Sequence, residues 1–270
     1  MNILRRVLTV ALFTGAATLA QDTPADHAGS AEPAPPTFHE TFSGGTLDQN
    51  NWFIDTGRAP GNVAGVNNGT LSAENVDLST GMLRLKLTQT VAGTLATSTG
   101  AEIRSKQSFG YGTYVWVARA ASTSDTPRGA GSAVSGTVFD VFNFINDSET
   151  EIDFEYQGQS PATLEMTNYS TVSQSQSTST HAPGADSSFH EYKFMWSEKK
   201  IEFFLDGTLV STHTEHIPSA PAAVLINLWG TNSASFGGVA THGATCYLYV
   251  SSFSYNAPAR LAGRAAQGRR

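Results

Sequence analysis

Apolar and polar residues alternate in short runs along most of this chain, and nowhere do apolar residues hold the spacing of an amphipathic helix over ten residues. A period of two marks strands with one buried face. Runs of this kind stand at 82–87, 111–117, 152–156, 192–196, 201–205, 224–228 and 247–250, with Gly, Ser, Thr and Asn between them. Many short strands without a helix imply an all-β sandwich. Asp206-Gly207 between two apolar runs predicts a tight hairpin, and no internal repeat is visible.

The 270 residues suit one larger all-β domain, and no second domain is required. Residues 1–20 have a basic start, the apolar run 7–17 and a small-residue close, the pattern of an export signal too short to span a bilayer. Residues 21–36, rich in Ala, Pro and Asp, read as a disordered linker, 37–257 as the folded domain, and 258–270 as a basic tail with four arginines. The expected location is therefore extracellular or periplasmic, without membrane attachment once the signal is removed. The single cysteine, Cys246, lies in an apolar run and reads as a buried small hydrophobe, so no internal disulfide can form.

Net charge is −7, and 37–257 holds 10 Lys or Arg against 20 Asp or Glu. That surface repels nucleic acid and anionic polysaccharides, so an extended partner is expected to be uncharged.

The segment Glu149-Thr150-Glu151-Ile152-Asp153-Phe154-Glu155-Tyr156 carries the chemistry. On a strand, Glu151, Asp153 and Glu155 share one face while Ile152, Phe154 and Tyr156 share the other. Like charges so close are costly. A solvated edge strand or a calcium site would explain them, as would catalysis. The Cα atoms of Glu151 and Glu155 should lie roughly 13 Å apart, from about 3.3 Å per residue. Two Glu side chains leaning together over Asp153 can approach the ~5 to 5.5 Å between carboxyls of a retaining glycosidase.

The string 150–158 resembles the catalytic strand of glycoside hydrolase family 16 in its form without a β-bulge. Ala101-Glu102-Ile103-Arg104-Ser105-Lys106, Phe109 to Tyr114, Phe189 to Trp196, Phe204 to Gly207, Ile217 to Pro221 and Ile226-Asn227-Leu228-Trp229 keep the family's order and spacing. The resemblance covers almost all of 37–257. It implies a jelly-roll sandwich of two curved antiparallel sheets, with Glu151 as nucleophile, Asp153 as its assistant and Glu155 as acid/base. It further implies that Glu102, Arg104, Asn168 and Asn227 bind sugar and that Trp229 stacks on a sugar ring. One or more of Phe139, Phe142 and Phe144 could supply a second platform.

The expected activity is hydrolysis of a neutral β-1,3-1,4 or β-1,3 glucan by a monomer. A transglycosylase on glucan, xyloglucan or chitin would use the same residues, and a lectin could share the sandwich. No cofactor or catalytic metal is expected. Tyr249-Val250-Ser251-Ser252-Phe253 shows Ser where related chains place a calcium-binding Asp, which leaves at most a weak structural calcium. The stretch from Asn143 to Glu149 is shorter than in lichenases, a difference that bears on linkage preference.

Overall fold

In the computed structural model, residues 38–184 and 186–258 are described. The expected signal, the linker and all of the tail after Pro258 lie outside them. The strands are β1 (Phe38–Glu40), β2 (Trp52–Asp55), β3 (Gly57–Arg58), β4 (Asn67–Leu71), β5 (Val76–Asp77), β6 (Leu83–Ala92), β7 (Leu95–Phe109), β8 (Gly112–Ser122) and β9 (Thr137–Ile145). They continue as β10 (Thr150–Gln157), β11 (Thr163–Thr171), β12 (Gln174–His181), β13 (His190–Trp196), β14 (Ile201–Leu205), β15 (Thr208–His213), β16 (Ala222–Gly230) and β17 (Thr245–Asn256). The one helix among the described residues is the 3-10 turn Ala73–Asn75. No helix among them is long and apolar enough to cross a membrane.

The strands form the expected two-layered jelly roll, antiparallel except where β4 runs parallel to the start of β7. One layer runs β12-β11-β10-β9-β16-β7-β2. The other runs β15-β14-β13-β8-β17-β6 and continues through the start of β7 to β4 and β3. β7 serves both layers, pairing first with β6 and β4 and from Ala101 onward with β16.

Aromatic packing fills the space between the layers. Ile152, Phe154 and Tyr156 point inward from β10 as their alternation requires. Phe154 meets Phe203 of β14 edge-on, with centroids 5.3 Å apart at 88°. Tyr114 lies 4.5 Å from Phe194, and Trp116 lies 5.1 Å from Phe253. Each fully buried aromatic contributes about 1.5–3 kcal/mol of burial, which lets the fold do without a disulfide. Cys246 is buried in this core, and burial pushes its thiol up to about 12. Asp206 and Gly207 take φ of 49° and 76° in the β14–β15 turn, the left-handed pair of the predicted hairpin.

Candidate active site

The outward face of the β10 layer lines a cleft of about 570 Å³. Parity determines which side chains reach it. Glu151, Asp153 and Glu155 come from β10, and Glu165, Thr167 and Tyr169 come from β11. Asp140, Phe142 and Phe144 come from β9, Leu225, Asn227 and Trp229 from β16, and Glu102 from β7. Pairing aligns these residues in rows across the strands. Glu165 opposes Glu155, Glu155 opposes Asp140, Asp140 opposes Asn227, Asn227 opposes Glu102, and Glu102 opposes Asp55.

Burial shapes the electrostatics of this face. Asp153 is 8% exposed. Burial first, and then Glu151, Asp140 and Glu155, push its carboxyl well above the usual carboxylate range. Glu155 is pushed up to about 9 by burial and by the acids Asp140 and Glu165, against the hydrogen bond that Gln157 Nε2 donates to its Oε1 at 3.1 Å. Glu151 is raised by burial, while a hydrogen bond donated by Ser148 Oγ to its Oε2 favours the ionised form. Ser148 is offered by the β9–β10 turn, where Asn146, Asp147 and Ser148 all have positive φ. Left-handed conformations outside glycine cost on the order of 1–3 kcal/mol each and concentrate at functional sites. Both carboxyls, four residues apart on one strand, are thus raised by burial, with Ser148 opposing the shift at Glu151 and Gln157 opposing it at Glu155.

Glu102 is pushed up to about 7, chiefly by burial, and accepts a hydrogen bond from Asn227 Nδ2 at 3.1 Å. Both residues therefore lie where the sequence reading expects sugar contacts. Arg104 shares their face but stands towards its edge. Its guanidinium binds Asp55 through two nitrogens at 2.8 and 3.0 Å and lies over Phe53.

Two expectations are corrected. Asn168 does not face the cleft. It opposes Ile152, so its parity is that of the core, and it is fully buried. Its amide donates to the carbonyls of Glu215 and His216 at 3.1 and 2.7 Å, while its Oδ1 accepts from His213 Nδ1 at 2.7 Å. Trp229 reaches the cleft with only 8% of its surface exposed, because Phe236 stacks on it and Gly61 lies so close that an added Cβ would be 2.6 Å from its ring. The half-exposed aromatics around the cleft are Phe144, Tyr169 and Phe236. Phe139 faces inward and stacks on Tyr156.

Asp140 is the site residue that sequence reasoning missed. It is 8% exposed, and its Oδ2 accepts from Trp229 Nε1 at 2.9 Å. A signal was available, since Asp140 is the lone acid in the otherwise apolar run Phe139-Asp140-Val141-Phe142. Among the described residues no group of three or more His, Cys, Asp or Glu has the arrangement of a metal site.

The model of glycosyl hydrolases family 16 matches residues 66–244. The chain is 28% identical over 232 residues to the endo-1,3-1,4-beta-glycanase ExoK of Rhizobium meliloti (strain 1021), covering 83% of this chain and 76% of that protein. It is 28% identical over 229 residues to the beta-glucanase of Bacillus licheniformis, covering 83% and 84% of the two. A solved Bacillus licheniformis beta-glucanase structure superposes with a TM-score of 0.69 at 25% identity, over 83% of this chain and 99% of that one.

Proposed function

Because the chain belongs to glycosyl hydrolases family 16 and is a glycoside hydrolase, we propose that it cleaves β-1,3-1,4-glucan internally, with retention of configuration. Glu155 protonates the departing glycosidic oxygen while Glu151 attacks the anomeric carbon and forms a glycosyl-enzyme. Glu155, now ionised, takes a proton from water, which releases the sugar and regenerates Glu151. Asp153, buried between them on the same face, assists the nucleophile. The observation that carries this reading is the placement of the three acids of β10 together in the cleft, with Glu155 raised to about 9 and Glu151 receiving the Ser148 hydroxyl.

Glu102 and Asn227 are placed to bind sugar hydroxyls, and Phe144, Tyr169 and Phe236 offer apolar rings to the C–H faces of glucose. The acidic face suits an uncharged polymer. No metal takes part in this scheme, and activity is expected to survive chelation.

The test is product analysis by mass and anomeric configuration on mixed-linkage glucan, laminarin and xyloglucan. Wild type should shorten mixed-linkage glucan with β-products appearing first, and Glu151→Ala should lose at least about 10⁴-fold in kcat. Products longer than the donor would replace hydrolysis by transglycosylation, and binding without cleavage would leave a lectin.

A further inference from the structure

Asp140 has no part in the double displacement just described, yet it sits directly across the β9–β10 pair from Glu155. Both carboxyls line the cleft, Asp140 Oδ1 is buried without a donor of its own, and each carboxyl perturbs the other's proton affinity. Ionised carboxylates only accept, so a hydrogen bond across this opposed pair requires a proton between them. The two neighbourhoods differ in where they put it. Asp140 receives the indole N–H of Trp229, which favours its charged form. Glu155 is flanked by a second acid, Glu165, and shares the amide of Gln157 with it.

We propose that Asp140 is a positioning residue for Glu155: the opposed carboxyls share one proton, and the hydrogen bond from Trp229 fixes the charge on Asp140 and leaves the proton on Glu155. This rests on Glu155 being the acid/base. Asp140 then serves both halves of the reaction. Beside an ionised Asp140, Glu155 keeps its proton into alkaline solution until the glycosidic oxygen takes it. Once Glu155 is ionised, the same neighbour makes it a stronger base towards water.

The other groups on this face do not replace Asp140. β10 contributes Glu151 and Asp153, β11 Glu165 and Tyr169, β7 Glu102 and Arg104, β2 Asp55, and β16 the neutral Asn227 and Trp229. Arg104 is engaged by Asp55. Among the acids, only Asp140 opposes Glu155 in register and also has its own indole donor. Both carboxyls are raised above the ordinary range, as expected of a buried acid pair.

The test is a carboxyl-carbon NMR titration of protein labelled at glutamate Cδ, with the Glu155 signal assigned through Glu155→Gln. In wild type the Glu155 signal should titrate far above the ordinary ~4.3 and show a smaller, earlier step from Asp140. In Asp140→Asn the midpoint should fall by on the order of one unit or more, and the alkaline limb of kcat/KM should move down by the same amount. Asp140→Ser, which can still accept from the indole, is the second variant if Asn does not fold.

A single wild-type step near 4.3, or a midpoint unmoved in the variants, would overturn the shared proton. If wild type cleaves no glucan while the titration behaves as expected, the proposed function fails and the carboxyl pair stands.

Discussion

At the scale of single residues, the acids of this cleft differ in the donors they receive: Ser148 for Glu151, Gln157 for Glu155, Asn227 for Glu102 and Trp229 for Asp140. Ser148 Oγ favours the ionised form of Glu151. Ser148→Ala should therefore raise the proton affinity of Glu151. The acid limb of kcat/KM should move to higher pH by up to about one unit, while the alkaline limb stays in place. A pH profile of the variant checks this, and an unmoved acid limb would remove Ser148 from the account. Glu151, Asp153 and Glu155 were legible in the sequence because their spacing lies within one strand, where alternation alone places them on one face. Asp140 was not, because its partner is found only when β9 pairs with β10, five steps along the ladder from Thr150 and Ile145 and fifteen residues away along the chain. Asn168 was misread for the opposite reason. A short string resembled the family, but the parity set by Thr167 and Tyr169 turns Asn168 inward.

At the scale of elements, the buried cluster around Asn168 joins the outer strands of the two layers. His213 of β15 contacts Asn168 of β11 through Nδ1, and its Nε2 lies 2.7 Å from Thr178 Oγ1 of β12. Removing the Asn168 amide strands two carbonyls and one imidazole N–H. Asn168→Ala is accordingly expected to lower unfolding stability by about 1–3 kcal/mol in urea titration, with KM for glucan unchanged. A raised KM with no loss of stability would return Asn168 to the cleft. The Asp206-Gly207 hairpin was legible because its turn chemistry is local. The pairing of β12, β11 and β10 was not, because nothing in Ser- and Thr-rich runs such as 174–181 states which neighbour they will find.

At the scale of the whole molecule, an enzyme's cleft is paid for in pH stability. Glu102, Asp140 and Glu155 are held above their ordinary range by burial, to about 7, 7 and 9. The folded state thus binds more protons than the unfolded chain, whose carboxyls titrate near 4. The stability they contribute is complete below about 4 and is lost as pH rises through these values. His213, pushed down to about 4 by burial, works in the other direction, but only as pH falls from about 6.5. Between pH 6.5 and 9 the melting temperature should therefore decline, and decline less in Glu102→Gln, as calorimetry across that window would show. An unchanged slope in the variant would mean that Glu102 is ionised in the folded protein throughout. The sandwich itself was visible from alternation and turn residues, whereas the rows across its sheet needed the strands to be paired. Those rows have a consequence for how such a protein can diversify. Glu165, Glu155, Asp140, Asn227 and Glu102 occupy successive strands at one level, each anchored by backbone bonds that do not depend on its side chain. The sheet behaves as a pegboard, on which one acid can be exchanged for an amide, or one ring for another, without moving its neighbours. New substrate preferences are then reachable by single substitutions while the framework stays as it is.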